Sequence, residues 1–128
     1  MDGKVAEFDL AAHDKATRSD EVPLLVDYWA PWCGPCRSMA PEFVKAAKLL
    51  APDVRLAKLN TEDHPQIASR ANIRGIPALV LYSGGRDLAR LAGAQGLHAV
   101  MSSGTVLPQP WFDAIRCAAR HLFQQYGC

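Results

Sequence analysis

Residues 22–30 read Val-Pro-Leu-Leu-Val-Asp-Tyr-Trp-Ala, apolar at nearly every position. A strand with one solvated face would alternate, so this run predicts a central strand covered on both faces. From Pro35 the spacing lengthens. Met39, Phe43, Ala46, Ala47 and Leu50 recur at helical intervals until Pro52, which predicts a helix carrying Pro41 inside it. Val54 to Leu59 alternates as a strand should, His64 to Ala71 suits a short helix, and Ala78 to Tyr82 is a second apolar strand. Ser83-Gly84-Gly85-Arg86 then signals a hairpin turn. Strands alternating with helices imply parallel β-α-β units, and the closing hairpin adds antiparallel strands. The prediction is an α/β domain with a mixed central sheet and helices on both faces. Past Gly93 the pattern weakens as far as Pro108. It returns at Phe112, Ile115, Ala119, Leu122 and Tyr126, predicting a loop and a terminal amphipathic helix over about 109–126.

Composition narrows the picture. At 128 residues there is room for one core, so the whole chain is expected to form a single domain. Apolar residues make up 49% and charged residues 21%, which excludes disorder and fibrous repeats. Fourteen Lys and Arg stand against thirteen Asp and Glu. No strong field is therefore expected to draw in nucleic acid or an anionic membrane, and partners must be recognised by contact. Met1 to Glu7 interleaves charges with apolar residues and offers no signal peptide, and no later run has the length of a membrane helix. The expected location is the reducing cytoplasm, where four cysteines read as reactive, free or metal-binding thiols rather than a structural framework.

Two of those cysteines stand in Trp32-Cys33-Gly34-Pro35-Cys36, where the central strand hands over to a helix. One helical turn brings two sulfurs at this spacing within disulfide reach. Cys33 then sits on the helix N-terminus, where unpaired N–H groups and the dipole favour a thiolate, and it is the expected nucleophile. Cys36, deeper in the helix, is the expected resolving thiol. Pro35 lacks an N–H that would go unsatisfied there, and Gly34 lets a substrate backbone approach closely. The competing reading is half of a zinc site. Cys117 and Cys128 are eleven apart and His13, His64, His98 and His121 show no ligand spacing, so no metal is expected.

The run Val26-Asp27-Tyr28-Trp29-Ala30-Pro31-Trp32-Cys33-Gly34-Pro35-Cys36-Arg37, with Pro41, Ala57-Lys58-Leu59-Asn60 and Arg74-Gly75-Ile76-Pro77, strongly resembles the thioredoxin family over about residues 5–94. It is most similar to the second bacterial type, without the upstream segment of two zinc-binding cysteine pairs that those proteins carry. The resemblance implies a thioredoxin fold and a protein disulfide reductase working through the Cys33–Cys36 pair without a cofactor. A flavin enzyme using NADPH, thioredoxin reductase, would supply the electrons. Pro77 matches the family's cis-proline, and the peptide at Ile76 would hydrogen-bond an incoming substrate chain. From the residues alone an ordinary trans turn is the commoner state.

Asp27 interrupts an apolar strand on the side of the pleat it shares with Leu25 and Trp29, so burial should raise its pKa. An exposed position is the commoner fate of an aspartate. By resemblance the matching acid lies behind the disulfide and helps deprotonate the resolving cysteine, with Lys58 beside it. Of Trp29 and Trp32, one would pack beneath the site and the other shield its rim, against a plain reading of core packing. Gly75, Ala92 and Gly93 match a flat apolar rim that receives partners, and are equally ordinary turn residues.

Residues 95–108 depart from the family pattern as an insertion. In the predicted terminal helix Cys117 falls opposite the apolar stripe and Cys128 is the last residue, so both are expected as exposed thiols of a monomer. Either could form an intermolecular disulfide, although two incidental reduced cysteines is the plainer reading. An oxidant or isomerase would share the fold, with redox potential deciding between them and Gly34-Pro35 favouring reduction, and a binding module without turnover is the rival from another class.

Overall fold

The computed structural model describes residues 4–19, 22–51 and 54–92. The expected loop at 95–108, the terminal helix, Cys117, Cys128 and Gly93 lie outside the described residues.

The described chain runs β1 (Val5–Glu7), α1 (Leu10–Arg18), β2 (Leu24–Trp29), α2 (Gly34–Leu50), β3 (Arg55–Asn60), α3 (Pro65–Arg70), β4 (Ala78–Ser83) and β5 (Arg86–Ala92). The five strands form one sheet in the order β1-β3-β2-β4-β5. β3 pairs in parallel with β1 and with β2, and β4 pairs antiparallel with β2 and β5. This is the mixed sheet that the alternation of elements predicts. The Ser83–Arg86 turn places Gly84 and Gly85 at φ of 60° and 78°, a left-handed pair that joins hairpin strands without splaying them.

β2 is apolar along most of its length because it lies between two strands and under two helical layers. Leu25 points to one face and packs with Met39, Phe43, Ala46, Ala47 and Leu50 of α2. Val26 and Tyr28 point to the other, with Ala16 of α1 and Ile67 of α3. Burying one large apolar side chain such as Phe43 or Met39 contributes about 1.5–3 kcal/mol, so α2 is held mainly by its apolar stripe. Pro41 sits inside α2 without ending it.

β1 and α1 carried no prediction. Three residues are too few to show a period, and only His13 and Ala16 of α1 are buried. The available signal was Asp9, whose Oδ1 accepts from the Ala12 N–H at 2.8 Å and caps α1.

Candidate active site

β2 ends at Trp29, whose carbonyl accepts from the Thr61 N–H at 2.8 Å and the Thr61 hydroxyl at 3.1 Å. The chain then turns, with the Cys33 N–H donating to the Ala30 carbonyl at 3.1 Å. Cys33 is the N-cap of α2. Its Sγ accepts from the Cys36 N–H at 3.2 Å, so the sulfur occupies the place a capping serine or aspartate oxygen usually takes, at the positive end of a 17-residue helix. Cys33 and Cys36 are joined in a disulfide with a Cα–Cα distance of 5.2 Å. Both are buried, at 5% and 2% exposure, whereas Trp32 beside them is 67% exposed. The Arg37 guanidinium crosses back over the loop and donates to the Pro31 carbonyl at 2.8 Å.

Pro77 is buried and its bond to Ile76 is cis. It immediately precedes Ala78, which pairs with Tyr28 on one side and with Ala92 on the other. The Gly75-Ile76-Pro77 segment and the backbone of Ala92 therefore reach the end of the sheet at which β2 delivers Cys33. Gly34, Gly75 and Ile76 are half-buried and Pro35 is exposed.

On the sheet face that α2 covers, Asp27 lies two residues before the end of β2 and is 3% exposed. Its register partner is Lys58, and Lys58 is in turn paired with Glu7. Asp27 Oδ1 has no hydrogen-bond partner. Burial pushes the carboxyl up to about 7, with the Lys58 charge opposing the rise and Glu7 adding to it. The Lys58 ammonium stands 4.8 Å over the half-buried Trp29 ring and 3.5 Å from Glu7 Oε2. The sequence had not marked Glu7 or the Arg37 bond to Pro31. A lone glutamate on a three-residue edge strand carries no pattern.

A disulfide whose first sulfur caps a helix N-terminus, with a buried carboxyl raised to about 7 on the strand that leads into it, is the apparatus of a thiol:disulfide oxidoreductase. Among the described residues no group of three or more His, Cys, Asp or Glu could hold a metal, and no helix is long and apolar enough to cross a membrane.

Residues 4–103 match the family model for thioredoxin. The thioredoxin 1 of Nostoc sp. is 45% identical over 74 residues, covering 58% of this chain and 69% of that protein. The thioredoxin of Alicyclobacillus acidocaldarius is 45% identical over 85 residues, covering 66% and 80%. Among solved structures, the thioredoxin of Malassezia sympodialis superposes with a TM-score of 0.72 at 25% identity, covering 91% of this chain and 92% of that one. The chain belongs to the thioredoxin family.

Proposed function

We propose that this protein is a general protein disulfide reductase in which Cys33 attacks and Cys36 resolves. The observation that carries the reading is the Cys33 sulfur held as the N-cap acceptor of α2 while joined to Cys36. A thiolate in that position gains a charge-assisted hydrogen bond and the helix dipole, neither of which a neutral thiol uses as well.

In the reduced protein the Cys33 thiolate attacks one sulfur of a substrate disulfide. The other substrate sulfur leaves as a thiolate, and a mixed disulfide remains on Cys33. Cys36, deprotonated, attacks Cys33 Sγ, closes the internal disulfide and releases the second substrate thiol. Two electrons pass to the substrate, and the cycle uses no cofactor. Asp27, neutral or ionised with nearly equal ease at neutral pH, is the group that takes the Cys36 proton. Lys58 tunes that acid. Trp32, Gly34, Pro35, Gly75, Ile76, Pro77, Ala92 and Gly93 form the surface that receives the substrate chain, whose backbone pairs at Ile76.

The partners are proteins with exposed disulfides, and the donor is a thioredoxin reductase. A single domain spanning residues 1–128 acts as a monomer in a reducing compartment such as the cytoplasm, where the dithiol is the resting form. The conjunction of the Trp32–Cys36 run with Ala57-Lys58-Leu59-Asn60 and Arg74-Gly75-Ile76-Pro77 supports a place near the second bacterial type.

The test is dithiothreitol-coupled reduction of insulin followed as turbidity, for wild type, Cys33→Ser and Cys36→Ser. Acceleration by the wild type alone upholds the reading. Three traces equal to the blank would favour a binding module without turnover.

A further inference from the structure

On the sheet face opposite the dithiol lies a polar chain that the redox chemistry does not use. His13 of α1 and Tyr28 of β2 are both buried. His13 Nε2 is 2.7 Å from the Tyr28 hydroxyl, which is 2.6 Å from the hydroxyl of Tyr82 on β4. Burial pushes the His13 imidazole below its ordinary pKa, against the opposing pull of Asp14, and raises both phenols, so all three groups are neutral at neutral pH. A neutral imidazole and two phenols carry three hydrogens between them, and two links use two. The third must sit at an end of the chain. Either it is on His13 Nδ1, which is buried without a hydrogen-bond partner and 3.9 Å from Asp14 Oδ1, or it is on Tyr82 and points away from Tyr28.

His13 and Tyr82 both line a recess of about 530 Å³ between α1, α3 and the β4–β5 hairpin, a volume typical of small-molecule sites. Its other walls bring together Arg18, Arg70, Arg86 and Arg90 against Asp14 and Asp87, in a chain whose overall charge is only +1. Arg70 is paired with Asp14, and Arg90 with Asp87 at 2.8 Å. Those pairs fix two guanidinium groups in place. Arg18 and Arg86 are exposed and have no ion-pair partner among the described residues.

We propose that this recess binds a small phosphate-bearing ligand. Two unpaired guanidinium groups match the charge of about −1.5 to −2 on a phosphate monoester near pH 7, and their planar forks suit its oxygens. Tyr82 supplies a neutral donor. An anion there selects the arrangement in which hydrogens run outward from His13 Nε2 through Tyr28 to Tyr82, leaving Nδ1 bare. The bound phosphate therefore sets the tautomer of His13, the other end of the chain, which meets the same recess.

The test is titration of the oxidised protein with inorganic phosphate and, separately, with a sugar phosphate, against chloride at equal ionic strength. The readout is the NMR signals of the His13 ring and the Tyr82 hydroxyl neighbourhood. Saturable shifts with phosphate and not chloride are expected. Tighter binding of the sugar phosphate would identify an organic phosphate as the ligand, and equal binding the free ion; either supports the site. Arg18→Gln together with Arg86→Gln, both at exposed positions, should weaken binding about tenfold per arginine, and insulin reduction should be unchanged. Tyr82→Phe should abolish the response of the His13 ring. Signals unmoved by roughly 10 mM phosphate, shifts matched by chloride, or a double variant that binds as the wild type does would overturn the proposal.

Discussion

Replacing Asp27 by Asn removes an ionisable group from a position 3% exposed to solvent. In the unfolded chain the carboxyl ionises at its ordinary value of 3.8, and in the fold at about 7. Below about pH 4 both states hold the proton, and the group contributes nothing to the pH dependence of stability. Between about pH 4 and 7 the unfolded chain has released the proton and the fold has not, so stability declines as pH rises. Above about 7 both states are ionised and the loss is complete. At 1.36 kcal/mol per pH unit the rise corresponds to roughly 4 kcal/mol. Asparagine bears no such cost. Any change in packing or hydrogen bonding that it introduces is the same at every pH. The stability of Asp27→Asn minus that of the wild type should therefore grow by about 4 kcal/mol from about pH 4 to pH 8. Urea unfolding at both pH values reads this directly, with the Cys33–Cys36 disulfide kept oxidised so that no thiol at the site titrates. A difference that stays flat across the range would refute the argument that the buried carboxyl is held neutral by desolvation.

Lys58→Met removes the cation that opposes this rise. The titration midpoint of Asp27, followed by carbon NMR of its carboxyl, should move further up, because Glu7 is then left unopposed; a midpoint unchanged or lowered would show that the Lys58 charge does not act on this carboxyl. Tyr28→Phe leaves the His13 Nε2 and Tyr82 hydroxyl contacts unmade. It should cost about 1–3 kcal/mol in urea unfolding while insulin reduction continues at the wild-type rate. A loss of turnover without a loss of stability would contradict the separation of that polar chain from the dithiol.

Much of the fold was legible because strands buried on both faces and a long amphipathic helix leave strong periodic signals. Val22–Ala30 contains β2, and the stripe from Met39 to Leu50 is the face α2 turns to the sheet. Leu24–Trp29 is shorter at each end than the apolar run because Pro23 and Ala30 extend the burial without joining the strand. Asp27 could be read as buried because a lone acid in such a run has nowhere to face but the core on Leu25's side. α1 escaped because its buried face is made of alanine and histidine, residues that no hydropathy pattern picks out. The arginine recess escaped for a different reason. Arg18, Arg70, Arg86 and Arg90 are spread over three elements, and only the packing of α1 and α3 beside the hairpin brings them together.

The central claim is that Cys33 attacks and Cys36 resolves. It is tested most directly by incubating reduced Cys36→Ser with a disulfide-linked peptide and locating the adduct by mass spectrometry. The account predicts a stable mixed disulfide on Cys33 that dithiothreitol releases, and none on Cys36 of the matching Cys33→Ser protein. An adduct that forms on Cys36 when Cys33 is replaced, with Cys33 unmodified in the first variant, would reverse the assignment and contradict the role given to the cap of α2.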